Sequence, residues 1–422
     1  MLKGEYIKYL ATKYEVVIFL QELNDDYYKS ENITYIKFPF KMGRFWSLFD
    51  TILRPFLIRR FDNQPGVQFR YVLYSGNDWR KNILRKIALI LPSNFFSPRF
   101  FFWLEKIFVP QSKIFLEYIK KHNPSLVIVP TPGLSFMEAW AILCAKKFKI
   151  PSVCINFSWD NLTTYPRSIR KTDYMICWNE IIKKEAIELH YYSKDSVFVS
   201  GIIRYDNFFK DDDDKMTREE FLKSKNLNPN KKTVLVATAT DPNLDLHKNI
   251  IRAISVMDIN VLVRLHPLER ESIYEEFKKL SNVRVELAGT VKQDDKIKGW
   301  QVEMEEKDRL NVRRIFKFCN ININRSSTIT LDSLIFDMPV ISLDFGTSKV
   351  PIVTFAHYRP LIEEGAVRLA HNIDEVKKFV EMYLKDSSID RKNRKKIIEK
   401  TVGFKDGLSY KRNVDFLDKI LK

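Results

Sequence analysis

The polar residues of the segment NININRSSTITLDSLIFDMPVISLDF have the types and spacing of an anion site. The segment contains an apolar strand-like run, then apolar residues at helical spacing and, between the two, four polar residues: Arg325, Ser326, Ser327 and Thr328. Ser and Thr at a helix start can cap free backbone N–H groups, which is one interpretation. The other is that these N–H groups and side chains hold a phosphate beyond the end of a strand.

Two further segments carry chemically useful residues at the ends of strand-like runs. In VLVRLHP, Arg264 and His266 follow a β-branched run and precede a proline, so His266 is either a site residue or a structurally satisfied histidine. In INFSWDNLTT, the residues Trp159, Asp160 and Asn161 follow another such run. A carboxylate there can act as the general base for an incoming hydroxyl, or it can form an Asx turn with its neighbour.

The glycines and cysteines exclude several kinds of site. No two of the 12 glycines are separated by a single residue, which excludes a G-x-G-x-x-G fingerprint, and no two are five positions apart, which excludes a Walker A loop. The four cysteines are far apart in apolar stretches and no C-x-x-C occurs, which predicts buried thiols in a reducing cytosol. Any phosphate is therefore held without a glycine loop.

These residues must be positioned by an α/β framework. Apolar runs of about four to six residues alternate with helical segments of about 10 to 15, which predicts βαβ units and parallel sheets. The domains we predict are an N-terminal domain over 1–205, a linker over 206–232, a C-terminal domain over 233–372 and a helical segment over 373–422. The linker contains KDDDDK, interpreted as a solvated loop, and a capping box formed by Thr217 and Glu220.

Residues 41–110 form a region rich in aromatic and basic residues within a chain of net charge +17. They are either a helical insertion whose aromatic residues form core, or a surface that docks on an anionic bilayer. No window approaches ~18 uncharged apolar residues, and the start lacks a signal-peptide pattern. We expect a cytoplasmic protein, and in the second interpretation one that lies peripherally on the inner face of the cytoplasmic membrane.

Five segments taken together resemble GT-B glycosyltransferases of bacterial capsule and lipopolysaccharide biosynthesis. They are SWDNLTT, TDYMICWNEIIKKEAIELH, VRLHP, SSTITLDSLIFDMPVISLDF and HYRPLIEEGAVRLAHNIDEV. The CDP-glycerol glycerophosphotransferases, capsular Kdo transferases and UDP-N-acetylglucosamine epimerases are related families. The resemblance covers roughly residues 125–415, whereas residues 41–110 match nothing in it. It implies two Rossmann-like domains whose parallel sheets face each other across a cleft.

The resemblance also implies roles for individual residues. Asp160 and His266 would be catalytic, with Asp160 deprotonating the acceptor hydroxyl. The donor and its phosphates would be bound by Arg264, Arg325, Ser326, Ser327, Thr328 and Asp332. The acceptor side or cleft would contain Trp159, Asn161, His357 and Gly201, the last of these matching a G-x-x-x-x-D pattern completed by Asp206.

The predicted function is sugar transfer from a nucleotide-activated donor to a growing surface glycan or a lipid-linked acceptor. The nucleotide sugar is a substrate, so no cofactor is expected. Metal independence is also expected, because no Asp-x-Asp motif stands in a suitable place. A nucleotide-sugar epimerase and a glycerophosphotransferase are the alternatives within the superfamily. The alternative that is not an enzyme is a basic nucleic-acid-binding protein. Two observations count against it, because the charge is spread along the chain and no recognition module is visible.

Overall fold

The computed structural model describes residues 4–20, 27–38, 112–131, 136–164, 171–210, 214–239, 245–291, 302–303, 306–346 and 351–422, with single positions at 23, 79, 83, 87, 90, 97, 100 and 103. Its strands are β1 (Val16–Leu20), β2 (Ile33–Lys37), β3 (Val127–Val129), β4 (Ser152–Ile155), β5 (Tyr174–Cys177), β6 (Val197–Val199), β7 (Thr233–Ala237), β8 (Asn260–Arg264), β9 (Val283–Glu286), β10 (Thr290–Val291), β11 (Val302–Glu303), β12 (Ile321–Asn324), β13 (Val340–Leu343) and β14 (Arg368–Ala370).

The α-helices of the same residues are α1 (Glu5–Ala11), α2 (Lys113–His122), α3 (Phe136–Lys147), α4 (Asn161–Thr164), α5 (Glu180–His190), α6 (Asp206–Phe209), α7 (Arg218–Ser224), α8 (Asp245–Ser255), α9 (Glu306–Phe318), α10 (Ile329–Ile335), α11 (Arg359–Glu363), α12 (Ile373–Lys385), α13 (Arg391–Thr401) and α14 (Ser409–Leu421). Short 3-10 helices span Lys194–Ser196, Ile203–Tyr205, Glu271–Lys279 and Ile352–Thr354. The chain divides into two compact units. The N-terminal unit comprises Met1–Lys210, Phe355–His357 and Lys400–Lys422, and the C-terminal unit comprises Asp211–Thr354 and Tyr358–Glu399.

The N-terminal unit is built on a parallel sheet of order β3-β4-β5-β6, with β1 and β2 forming a separate parallel pair. All four residues of β4 are buried, as expected for a strand covered on both faces. Helix α14 packs against α1, and its Val414 and Leu417 join the same apolar core as Val153 and Ile176. The unit therefore takes part of its core from the last helix of the chain.

The C-terminal unit contains a six-stranded parallel sheet of order β14-β13-β12-β7-β8-β9. From β7 the chain runs outward through β8 to β9, and it then returns to the other side of β7 and runs outward through β12, β13 and β14. This is the Rossmann strand order, whose topological switch point lies between β7 and β12. The amphipathic helix α8 places Leu246, Ile250 and Ile254 in the core below the sheet. The predicted α/β class with two Rossmann-like parallel sheets is confirmed.

The segment interpreted as a linker contains ordered structure. Thr217 and Glu220 form the expected capping box at the start of α7, with reciprocal side-chain to backbone hydrogen bonds. Asp214, the last of the four consecutive aspartates, is not solvated as the run predicts. Its carboxylate accepts two hydrogen bonds of 2.6 and 2.7 Å from Arg314, whose guanidinium holds the pKa of Asp214 below its usual range. Asp211 to Asp213 lie outside the described residues.

The aromatic and basic region 41–110 lies outside the described residues except for seven single positions. Six of these positions are helical, and four of the six, all with exposed side chains, follow one another at intervals of four, four and three residues: Trp79, Ile83, Ile87 and Ile90. Intervals of three and four residues are those of one helix face. In the described part of the chain, no helix combines the length and apolar character needed to cross a membrane.

The thiols behave as the sequence predicts. Cys144, Cys154, Cys177 and Cys319 are all buried and none is in a disulfide. Burial raises the pKa of Cys144 to about 11 and raises the pKa values of the other thiols as well. Because the thiolate is the reactive form, these cysteines serve as core residues.

Candidate functional site

A turn at the switch point of the C-terminal sheet joins β12 to α10. The buried Asn324 ends the strand, and its Oδ1 accepts hydrogen bonds from the backbone N–H of Ser327 (3.2 Å) and the hydroxyl of Thr330 (3.0 Å). Between them Ser326 takes the left-handed conformation, with φ of 40°. The Thr330 hydroxyl also contacts the buried hydroxyl of Tyr358 at 3.0 Å. The turn is therefore fixed from beneath by side chains that the sequence analysis did not single out.

The three hydroxyl groups of this turn remain available for a ligand. Thr328 stands at the N-cap position of α10, but its side chain makes no capping bond, so one of the two sequence-based interpretations is not observed. Ser326, Ser327 and Thr328 are half-buried, and their hydroxyl groups make no hydrogen bond to the described residues. Arg325 is half-buried beside them, whereas Asp332 is buried one turn into the helix.

His266 follows β8, and its surroundings favour a neutral imidazole ring that can donate a hydrogen bond. Its backbone N–H donates to the hydroxyl of Thr238 (2.9 Å) and to the carboxylate of Glu269 (3.2 Å). Its ring Nδ1 accepts from the backbone N–H of Leu268 at 3.2 Å, which leaves the proton of the neutral ring on Nε2. Burial lowers the pKa of His266, which favours this neutral form. The ring can therefore donate a hydrogen bond through Nε2.

Arg264 has a different environment from its neighbour. It is buried, and its guanidinium donates to Glu286 (2.9 Å) and to the carbonyl oxygen of Ala288 (2.5 Å). Glu286 also forms an ion pair of 2.6 Å with Lys225. These contacts tie the Arg264 side chain to β9 and the residues that follow it, so its charge is largely compensated within the unit.

The strand order sets the spacing of these groups. Strand β7 lies between β8 and β12, so the residues that follow β8 and β12 are separated by one strand, or about 10 Å at the usual inter-strand spacing. Thr238, which follows β7, already contacts His266. One carboxyl edge of the C-terminal sheet thus carries three groups: Thr238, His266 and the turn of Arg325 to Thr328.

The N-terminal sheet has a second polar edge, after β4. Asn161 donates to Asn156 Oδ1 at 2.9 Å, and the indole N–H of Trp178 donates to the backbone oxygen of Asn156 at 2.7 Å. The carboxylate of Asp160 is buried and accepts a hydrogen bond from the hydroxyl of Ser158. These bonds give the loop a defined shape, because each buried amide has a partner within it.

His357 and Trp159 are brought together in the N-terminal unit although they are far apart in sequence. The His357 ring packs edge to face on the Trp159 indole, with centroids 4.9 Å apart, and also stacks on Phe355 at 5.8 Å. Trp159 itself is buried. The structure therefore places His357 beside the loop that carries Asp160.

Gly201 and Asp206, the pair that matches the G-x-x-x-x-D pattern, both contact the last helix. Gly201 has φ of +91°, and a Cβ atom there would lie 2.5 Å from the hydroxyl of Ser409. The carboxylate of Asp206 accepts from the backbone N–H groups of Ser409 (3.0 Å) and Tyr410 (2.8 Å), which start α14. The glycine is therefore required by the close approach of α14, and the aspartate caps that helix.

Comparisons with known proteins give structural likeness only. No protein-family model and no curated protein matches the chain. Among solved structures, S. aureus MnaA with UDP is 14% identical over 88% of this chain and 94% of its own, with a TM-score of 0.49. The UDP-GlcNAc 2-epimerase of Neisseria meningitidis bound to UDP-GlcNAc is 13% identical over 88% and 97% of the two chains, also at 0.49. A glycosyltransferase of Rickettsia africae is 14% identical over 79% and 84%, at 0.45.

Those values are too low to assign a family, so the function must be inferred from the two strand edges themselves. The C-terminal edge offers hydroxyl groups, a guanidinium and a neutral imidazole N–H, all of which suit a phosphate. The N-terminal edge offers a buried carboxylate beside an aromatic residue and a histidine, which suits a proton acceptor. Sequence reasoning missed Asn324, Thr238 and Glu269, because their roles depend on partners that adjacent strands bring together.

Proposed function

We propose that the chain is a glycosyltransferase that moves a sugar from a nucleotide-activated donor to the hydroxyl of a glycan or lipid-linked acceptor. The observation that carries the proposal is the strand order of the C-terminal unit, which puts the turn of Arg325 to Thr328 at the topological switch point. Ligands of Rossmann-like sheets bind outside the carboxyl ends of the strands at that point. The half-buried hydroxyl groups and the guanidinium of the turn are of the kinds that bind phosphate.

In this proposal the C-terminal unit binds the donor. The hydroxyls of Ser326, Ser327 and Thr328, with the Arg325 guanidinium, hold the diphosphate, and His266 donates to it through Nε2. Such preorganised donors stabilise the negative charge that develops on the leaving nucleotide. Arg264 supports the site indirectly by fixing the end of β8, and Asp332 orients the turn from α10. The reaction uses no metal ion in this proposal, since these donors meet the diphosphate charge.

The N-terminal unit supplies the base. The Asp160 carboxylate takes the proton of the acceptor hydroxyl, and Asn161 holds the loop that carries it. Trp159 and His357 lie next to the Asp160 loop, and the aromatic face of the one and the imidazole of the other can contact an acceptor sugar. Gly201 contributes through the packing of α14 below the same sheet edge.

A donor screen tests the proposal most directly. We expect one of UDP-, GDP-, CDP- or CMP-linked sugars to raise the melting temperature of the full chain and to be consumed only when an acceptor is added. Turnover of a nucleotide sugar without any acceptor would instead identify an epimerase. Consumption of CDP-glycerol in its place would identify a glycerophosphotransferase. Absence of nucleotide binding across the whole set would contradict the proposal.

An anionic membrane surface is the partner we propose for the region 41–110. The region has 12 basic and four acidic residues and 16 of the 56 aromatic residues of the chain. The exposed positions Trp79, Ile83, Ile87 and Ile90 have the helical spacing of a face that inserts at the headgroup level. Basic residues of the same region would contact lipid phosphates.

Vesicle sedimentation tests this surface. The chain should sediment with vesicles containing phosphatidylglycerol at low salt, and much less with pure phosphatidylcholine or at high salt. Changing Trp79 and Ile90 together to Ser should weaken binding by about tenfold or more, since each buried apolar side chain contributes about 1.5–3 kcal/mol. Val256→Ser, which alters an exposed apolar residue of the C-terminal unit, is the matched control. If the chain does not sediment even at low salt, the interpretation that remains is that the aromatic residues of 41–110 form core.

A further inference from the structure

Glu185 is a half-buried residue, with one buried carboxyl oxygen, on a helix next to the one that follows the proposed base. It lies on α5, whose residues Ile182 and Ala186 are buried where the helix packs against β5 and β6. The residue keeps some exposure, but its Oε2 atom is buried and has no hydrogen-bond partner among the described residues. Burying an ionised carboxyl oxygen without a donor is costly, whereas a protonated carboxyl is tolerated more easily.

Asp160 and Glu185 stand on neighbouring elements. Helix α4 begins at the residue after Asp160 and packs against α5. The two helices are joined by a hydrogen bond of 2.8 Å between His190 Nε2 and the backbone oxygen of Leu162. Burial raises the pKa of Glu185 to about 8, and the charge of Asp160 acts in the same direction. The two carboxyl groups thus have different environments: within the described part of the chain Asp160 accepts a hydrogen bond from Ser158, whereas the buried Oε2 of Glu185 accepts none.

We propose that Glu185 and Asp160 form a carboxyl pair that holds a single proton, on Glu185, and leaves Asp160 as the charged member of the pair. Pairs whose environments separate their protonation states often divide acid and base roles. The inference rests on the proposed function, because it assigns the base of sugar transfer to Asp160, whereas Glu185 only keeps its proton and takes no part in the transfer.

The chemical step follows from this assignment. The acceptor O–H bond breaks and its proton goes to Asp160, while the acceptor oxygen bonds to the anomeric carbon of the donor sugar. The bond from that carbon to the phosphate oxygen breaks, and its electron pair leaves with the nucleotide diphosphate. Glu185 keeps its proton throughout, so the site carries one carboxylate charge before the transfer and none after it.

The other titratable groups around Glu185 are consistent with one proton in the pair. Cys177 ends β5, and burial raises the pKa of its thiol well above the ordinary value, with the Glu185 carboxyl contributing, so the thiol is neutral. His190 lies on the same helix and donates to Leu162. Lys184 is exposed on the same helix, where it lies 3.9 Å from Glu188.

Infrared spectroscopy of the full chain tests the pair without any ligand. A protonated carboxyl has a C=O stretch separate from that of a carboxylate. We expect the wild type at pH 7 to show such a signal, Glu185→Gln to lack it, and the signal to disappear on titration through a midpoint near pH 8. Glu188→Gln, an exposed position of the same helix, should leave it unchanged. Superimposable spectra of the wild type and Glu185→Gln at pH 7 would overturn the proposal.

The wild-type titration decides the question even where a variant does not fold, because loss of the signal well below pH 7 would also overturn it. An activity measurement then separates the two carboxyls. Glu185→Gln mimics the protonated form and should keep transfer at pH 7 within about threefold of the wild type, whereas a base would lose 10²-fold or more, on the order of general-base contributions. If no donor supports transfer, the spectra still decide whether the pair exists, so failure of the function and failure of the pair are distinct outcomes.

Discussion

The carboxyl edges of the two sheets differ in where their polar groups lie. At the C-terminal edge the hydroxyls of Ser326 to Thr328 are half-buried, while a buried asparagine holds the turn from below. At the N-terminal edge the carboxylate of Asp160 is itself buried, and its loop is closed by hydrogen bonds among its own residues. The first edge presents donors outward, and the second keeps an acceptor within the fold.

This difference shows how one architecture can serve two kinds of chemistry. An anion arrives with its own charge, so an edge that binds it needs accessible N–H and O–H groups already in place. A base must instead keep a suitable proton affinity, which partial removal from water and nearby charges adjust.

Asp160→Asn should give the largest difference between the effect on sugar transfer and the effect on nucleotide binding. We expect sugar transfer to fall about 10³-fold, in the range of general-base contributions, while nucleotide affinity stays within about twofold. Steady-state kinetics and calorimetry would measure the two quantities. Asp173→Asn is the control, because Asp173 accepts from Ser152 at the amino end of the same sheet. Near-normal transfer by Asp160→Asn would remove this residue as the base.

Replacing Ser326, Ser327 and Thr328 together with Ala should have the next largest effect. Hydrogen bonds to a charged group contribute about 1.5–3 kcal/mol each, so we expect at least about a 100-fold loss of nucleotide affinity. The circular dichroism spectrum should not change. Ser255→Ala, before the amino end of β8, is the control, and wild-type affinity should be the same in EDTA. Unchanged calorimetric affinity of the triple variant would refute the phosphate assignment.

Glu185→Gln should alter the pH dependence of stability. The folded-state pKa is raised to about 8 from an ordinary value of 4.5, so the contribution of this group to stability is complete below pH 4.5 and is lost as the pH rises through 8. The advantage of Gln in free energy of unfolding should therefore grow from pH 4.5 to 8, by on the order of a few kcal/mol at most. Denaturant unfolding measures it, and a difference that does not vary with pH would count against a buried proton.

Asn324→Ala should affect the phosphate turn less directly. Loss of the bonds to Ser327 and Thr330 should cost about 1–3 kcal/mol of stability and lower nucleotide affinity by roughly tenfold, because the turn is no longer held. Asn322, on the same strand as Asn324, donates a comparable buried bond of 2.7 Å to the hydroxyl of Ser333 on α10, and Asn322→Ala removes it. This substitution should lower stability alone. Equal nucleotide affinity in the two variants would show that Asn324 has only a structural role.

The sequence predicted the parts of the fold that depend on local patterns. The alternation of apolar runs and helical segments predicted the parallel sheets, and the capping box of α7 is present as predicted. A strand as short as β14 could not be predicted, because its three residues, RLA, have too little pattern to distinguish a strand from a loop. The acidic run was misread at Asp214, since its partner Arg314 lies 100 residues away in sequence.

The same limit applies to the site. Asp160, His266 and the turn after β12 could be selected because each follows an apolar strand-like run. Glu185 could not, since in EIIKKEAIELH it has the spacing of an ordinary helical glutamate, and only the packing of α5 shows its buried oxygen. The structural use of Arg264 was likewise hidden, because its partner Glu286 comes from the neighbouring strand.

The packing of α14 in the N-terminal unit affects how the chain folds during synthesis. The ribosome completes β6 and α6 long before it makes Ser409 to Leu421, and about 200 residues at ~5–20 per second take roughly 10 to 40 s. Throughout that time the surface later covered by Val414, Phe416 and Leu417 is exposed, including Phe198, whose ring stacks on Phe416. The N-terminal half of the chain therefore waits for the C-terminal end before its core can close, and during this interval it offers an apolar face to chaperones.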